Sequence, residues 1–402
     1  MTWKIFSSAP HRLYFFAGAA QGVLTIAWWF YDLMGRYASS SGVVNWPVPS
    51  VWAHAYLMIY GFFPFFIFGF LMTAAPNWVN GEKVKQGHYV PGFLLMAAGI
   101  VLFYFGLLAG QKILEISIAL YLAGWLISAG ALLNIVVASS ARDKGHAYMV
   151  IGNVFIGWLG ALSYLIWLLG GNQEWLQGAV IIGIWLFLLP IFLSVSHRMI
   201  PFFSSTVLPN YEPKQPYVPL FILLGGMIIH VGLELAEEIR YLWLIDLPMA
   251  MVAFYFSWLW KFWRSFNVRL LAMLHTGFAW LGIALALYTA QSLIDFVSGK
   301  FLLAMAPLHA LTIGYFSSMV LAMVTRVTLG HSGRLLRADK TAWFLFLGFQ
   351  FAAIARILGD LPFSDASNLY LVAAVIWLAC FVIWDIKHIP IYLQGRIDGK
   401  QG

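Results

Sequence analysis

Residues 50–74 read SVWAHAYLMIYGFFPFFIFGFLMTA, and none of them is a lysine, arginine, aspartate or glutamate. As a helix this stretch rises about 37 Å at ~1.5 Å per residue, enough to cross a hydrocarbon core of ~30 Å. Its one histidine is His54, near the start. The rest of the 402-residue chain follows suit: 62% is hydrophobic and 10% charged. Soluble domains carry about 25% charged residues, so an ordinary soluble fold is excluded. Twelve apolar stretches are long enough to span, near 13–34, 50–74, 90–110, 113–137, 147–169, 176–196, 217–235, 241–262, 268–292, 302–326, 341–359 and 366–386. The expected fold is an all-α polytopic bundle of about twelve transmembrane helices, forming a single integral membrane domain over residues 1–402. The start, MTWKIFSSAPHRLYFF, has no small-residue cleavage site after its first apolar stretch, so that stretch reads as a retained helix.

Charge sets the orientation. Lys4, Arg12, Lys83, Lys85, Arg142, Lys144, Arg198, Lys214, Lys261, Arg264, Arg269, Arg326, Arg334, Arg337, Lys340, Lys387, Arg396 and Lys400 fall at the termini or in the even-numbered connections, eighteen in all. Only Arg36, Lys112, Arg240 and Lys300 fall on the other side. Positive residues mark the cytoplasmic loops, so both termini are expected in the cytoplasm. The same alternation accounts for the net charge of +7 without nucleic acid. Trp46, Trp52, Trp175 and Trp243 fall at the outer interface, where an aromatic belt belongs. The single cysteine, Cys380, excludes intrachain disulfides and thiolate clusters.

The histidines are the chemistry left to explain. His54, His197, His230, His275, His309 and His331 lie inside or at the rim of spans. An ionisable group there is costly and marks a functional site by default, and imidazole is the commonest metal ligand. By position along the spans, His54, His230 and His309 fall in the outer half. His275, His197 and His331 fall toward the cytoplasm, as do His11 and His146 at the starts of spans one and five. His230 stands close to Glu234, Glu237 and Glu238, so it reads equally as a hydrogen-bonded partner of a carboxylate. His54, His275 and His309 have no charged residue in the adjacent turns of their own helices. Met58 follows His54 by one turn and Met305 precedes His309 by one turn. Thioether with imidazole suits haem iron or Cu(I).

Residues 307–336 read PLHALTIGYFSSMVLAMVTRVTLGHSGRLL. This segment resembles the NnrS family, polytopic membrane proteins associated with the response to nitric oxide and described as containing haem and copper. The likeness rests on His309-Ala310-Leu311-Thr312-Ile313-Gly314 and on Arg326-Val327-Thr328-Leu329-Gly330-His331-Ser332-Gly333-Arg334. It extends to the helix opened by His54 and ending GFLMTAAPNW, to MIPFF at 199–203, and to His275 within LAMLHTGFAWLG. Before MIPFF this chain has His197-Arg198, where relatives are expected to carry Arg-Arg.

The resemblance implies that His54, His275, His309 and His331 are haem or copper ligands. It implies a bacterial inner-membrane protein that binds or turns over nitric oxide, with an electron donor it does not specify. No Cys-x-x-Cys-His occurs, so the haem expected is b-type and not covalently attached. Depth pairs His54 with His309 at an outer site and His275 with His331 at an inner one. His230 and His197 complete the set of candidate metal ligands. The alternative reading is a twelve-helix secondary transporter without a redox cofactor, which predicts an internal repeat relating the halves.

Overall fold

In lipid every backbone N–H and C=O must be paired within the protein, which leaves a chain this apolar the helix as its element. The structure is a computed structural model and describes residues 3–38, 42, 44–362 and 366–399. Lys400, counted above among the cytoplasmic charges, lies outside the described residues. Twelve helices match the twelve apolar stretches. They are α1 Pro10–Tyr37, α2 Ser50–Trp78, α3 Gln86–Ala109, α4 Gln111–Ala138, α5 Gly145–Leu168, α6 Gln173–Val207, α7 Tyr217–Leu235, α8 Trp243–Leu259, α9 Arg269–Ser298, α10 Ala306–His331, α11 Lys340–Leu358 and α12 Ala366–Leu393. Eleven of these are long and apolar enough to cross a membrane, and α8 is a shorter apolar helix. No strand occurs among the described residues. The chain is a multi-pass membrane protein. Large apolar side chains such as Leu108, Val218 and Phe344 stand exposed on the helices, as lipid-facing residues do.

Local sequence sets the ends. Pro10 opens α1, where its missing N–H costs nothing. Asp339 caps α11 by accepting from the Ala342 N–H at 2.9 Å. Gly299 ends α9 in the left-handed region (φ +64°) that a side chain would resist. Several helices outrun the apolar stretches that predict them, among them α6 to Val207, α9 to Ser298, α10 to His331 and α12 to Leu393. A stretch measured by hydropathy stops at its first charge, whereas helical hydrogen bonding does not. Arg326 shows how the charge is accommodated, with its guanidinium 3.8 Å over the Phe203 ring.

The chain divides into two compact units. The first comprises residues 1–191, 330–334 and 385–402. Its tightest pair is the hairpin of α3 and α4, joined through Gly110 (φ +119°). Here a Cβ on Gly124 would sit 2.7 Å from the Met96 N, so only glycine lets the backbones meet. Tyr56, Tyr60, Tyr121, Trp125 and Phe187 fill the space beside it as a set of ring contacts. The second unit comprises residues 192–329 and 335–384. There α8 packs along α9 with the Phe254 ring over Gly282, and α9 packs on α10 with Met319 against Gly277.

Every fourth helix contains a π-helical segment: Leu57–Phe62 in α2, Ile182–Leu188 in α6 and Ala310–Ser317 in α10. Such widened turns collect at functional sites. In α2 and α6 a proline stands two residues beyond the segment, Pro64 and Pro190. Pro64 cannot donate to the carbonyl four residues back, and that carbonyl, of Tyr60, instead accepts the Tyr121 hydroxyl.

Candidate functional site

In the first unit, two of the expected ligands stand at opposite ends of helices. His54 lies in the first turns of α2, partly buried, and stacks on Trp29 of α1 with ring centroids 4.3 Å apart and planes 14° off parallel. The same indole lies under the Arg36 guanidinium at 5.3 Å. Arg36 pairs with the buried Asp32 at 2.8 Å and reaches the Ser50 hydroxyl that opens α2, while Trp46 donates to Asp32 at 2.8 Å. The stack is thus held from beneath by an ion pair within α1, whose Arg36 also bonds to the start of α2.

His331 closes α10 and meets His11, which opens α1, with ring centroids 4.9 Å apart. His11 is buried, and its Nδ1 lies 3.4 Å from the Thr73 hydroxyl. The charges beside them are engaged. Arg12 donates to the carbonyls of Tyr392 and Gln394 at 3.0 and 2.5 Å. Arg396 holds Asp398 through two bonds of 2.9 and 2.6 Å, which raise its pKa above the usual arginine value. Ile397 donates to the Ser332 carbonyl at 3.2 Å, fastening the end of α10 to the segment after α12. Gly333 (φ +75°) has no room for a Cβ against Asp398.

The second unit holds the other four. His309, at the first turn of α10, shares a 2.9 Å hydrogen bond between its Nδ1 and the Met305 carbonyl. Its Nδ1 is also 3.9 Å from Asp360, which pairs with Arg356 at 2.7 Å and accepts the Tyr370 hydroxyl at 2.5 Å. His275, buried in α9, has its Nε2 3.0 Å from the Ser204 hydroxyl of α6. His197, fully buried, places Nε2 3.1 Å from the Pro216 carbonyl. His230 of α7 is bonded through Nδ1 to Asp246 of α8 at 2.7 Å, a carboxylate on another helix and none of Glu234, Glu237 and Glu238 that stand close to it in sequence.

The sequence match decides the relationship. The family model described as NnrS protein matches residues 5–396. This chain belongs to the NnrS family. No curated protein sequence matches it.

Each depth-derived pair of this NnrS protein has one member in each unit: His54 and His331 in the first, His309 and His275 in the second. Within a unit, the imidazole that meets an expected ligand is His11. Its partner lies 320 residues away, and in sequence it looks like any histidine at a helix start. Asp246, Asp360 and Trp29 were also hidden, since each acts on a histidine of a different helix. No group of three or more His, Cys, Asp or Glu able to hold a metal ion occurs among the described residues. An axial pair on haem, or two imidazoles on Cu(I), needs fewer ligands than that.

Proposed function

We propose that this NnrS protein is a haem-containing protein of the bacterial inner membrane that handles nitric oxide, with copper as a second metal. The family supports the nitric oxide response as its setting. The surroundings of His309 carry the ligand reading. A histidine that donates its Nδ1–H to a backbone carbonyl keeps its lone pair on Nε2, the arrangement of a metal-ligating imidazole. The Met305 carbonyl is placed to impose that tautomer on His309. The π-helical segment starts at the next residue. His54, His275 and His331 are the remaining proposed ligands.

Haem iron, when bound, supplies a coordination position for nitric oxide and one-electron redox chemistry. The residues of the chain do the rest. Met305 and the α10 turn orient the His309 ring, and the Trp29 stack fixes the plane of His54. Asp360 puts a carboxylate oxygen 3.9 Å from His309 Nδ1, and Arg356 pairs with that carboxylate at 2.7 Å. The apolar helices around these groups exclude water.

The deciding experiment is a visible spectrum of the detergent-purified protein with elemental analysis for iron and copper. A Soret band that shifts when nitric oxide is added, with iron at stoichiometric level, is the expected result. A protein with neither a Soret band nor iron above background overturns the reading, and the transporter alternative then stands.

A further inference from the structure

An aspartate inside a membrane span is expensive, and Asp246 is fully buried in the first turn of α8. It faces His230 of α7, itself 1% exposed, with 2.7 Å between Oδ1 and Nδ1. One turn beyond His230 on the same helix, Glu234 brings its Oε2 to 3.8 Å from the other imidazole nitrogen, Nε2. About a third of the Glu234 side chain is exposed (34%), whereas Asp246 shows none. Tyr288 of α9 closes the remaining side with its ring edge-on to His230 at 5.6 Å. Glu234, Asp246 and Tyr288 thus face His230 from α7, α8 and α9. Glu238 and Arg240 pair with one another beyond the end of α7.

We propose that His230, Asp246 and Glu234 form a proton-exchange site in the outer part of this unit, loaded from the outer aqueous phase through Glu234. Three observations carry it. The groups run in order from partly exposed to fully buried: Glu234, His230, Asp246. The middle one is an imidazole, which can take a proton on one nitrogen while giving one up from the other. The cluster is also not closed, since Asp246 Oδ2 and Glu234 Oε2 are buried without a hydrogen-bond partner. A pair kept only to lock two helices together would be expected to satisfy its acceptors.

The transfer balances without any other reactant. Glu234 takes a proton from water at the outer surface. A rotation of its partly exposed side chain closes the 3.8 Å gap. The proton passes from Oε2 to His230 Nε2, and the proton on Nδ1 moves to Asp246 Oδ1. The imidazole ends neutral, as it began, and Asp246 ends protonated. The reverse sequence unloads it. His230 is read here as the hydrogen-bonded partner of Asp246 and not as a metal ligand, so the site stands or falls apart from the cofactor reading.

Infrared spectroscopy of the full-length protein during exchange from H2O into D2O tests this. Asp246→Asn assigns the Asp246 carboxyl band by its loss; should that variant fail to fold, Asp246→Glu in isotope-labelled protein assigns it by its displacement. In the wild type the band is expected to move on deuteration. Glu234→Gln, made at a partly exposed position, should slow that exchange roughly tenfold or more while leaving the band in place. His230→Phe should stop it in a protein of unchanged helix content. An Asp246 band that never exchanges in the wild type, or exchanges equally fast in Glu234→Gln, identifies a static packing pair and overturns the proposal.

Discussion

Helix α2 carries His54-Ala55 with Tyr60 five residues on, and α10 carries His309-Ala310 with Tyr315 five residues on. In both, a π-helical segment begins within three residues of the histidine. In both, the tyrosine hydroxyl bonds to α6 within its own unit, Tyr60 to the Ala179 carbonyl at 2.6 Å and Tyr315 to the Ser196 hydroxyl at 3.1 Å. The rings themselves are held differently. His54 is fixed through its face, by Trp29. His309 is fixed through its edge, by a carbonyl of its own chain and a nearby carboxylate. The shared backbone plan follows from the local sequence, and the unlike environments follow from partners on other helices. An imidazole held by its edge has its tautomer set. One held by its face has its plane set and its tautomer left to other groups.

The largest expected effect of breaking this comparison is on the spectrum. If both histidines are ligands, His309→Ala and His54→Ala each remove a haem or copper signal from a protein that still folds. His275→Ala is expected to leave the signal lost in His309→Ala intact, which visible spectra and metal analysis of the three variants will decide. A spectrum unchanged by His54→Ala would make α2 a packing copy of the α10 plan, and the likeness of the two helices would then be architectural.

Glycines inside the two π-helical segments give a smaller and purely structural contrast. A Cβ on Gly314 would sit 2.6 Å from the Trp280 ring, and that indole is anchored by its N–H to Gln350 at 2.7 Å. A Cβ on Gly61 would sit 3.0 Å from the Gln21 amide nitrogen and 3.3 Å from a methyl of Ile100, both ends of flexible side chains. Overpacking against an immobile ring costs about 1–3 kcal/mol. Gly314→Ala should therefore lower the thermal midpoint clearly, with Gly61→Ala nearer the wild type. Equal midpoints would show that Trp280 can give way.

Much of the fold was legible because one physical rule governs it. Apolar runs of the right length must be helices; a helix appears at each of the twelve expected stretches, and eleven of them are long and apolar enough to span. Their ends were less legible, as α6 shows: hydropathy falls at His197-Arg198, yet the helix continues through Pro201 to Val207. For the site, local sequence located His54 and His309 on the first turns of long spans. It could not supply Trp29, Asp360 or His11, because stacking and ion pairing between helices leave no periodic signature. Asp246 was similarly obscured: it sits in an apolar run and gains its meaning only from His230 across the helix pair. The π-helical segments were invisible for another reason, since a single inserted residue barely alters the pattern of apolar residues.

The smallest expected effect tests whether face-on holding matters at all. Trp29→Leu removes the stack on His54 and the cation–π contact with Arg36 together. Each is worth on the order of 1 kcal/mol at a partly exposed position. Arg36 keeps its ion pair with Asp32 and its bond to the Ser50 hydroxyl, so the start of α2 should remain in place and the loss of stability should stay modest. The His54 ring, however, is left free to rotate about its side-chain bonds. If it is a ligand, the line shape of its signal should broaden or shift while the metal content is retained. Trp29→Phe keeps a ring face for the imidazole and should restore most of the wild-type line shape, which a role confined to filling space would not require. The same spectrum in Trp29→Leu and wild type would mean that the plane of His54 is fixed by something other than the indole. The contrast between a ring held by its face and one held by its edge would then be lost.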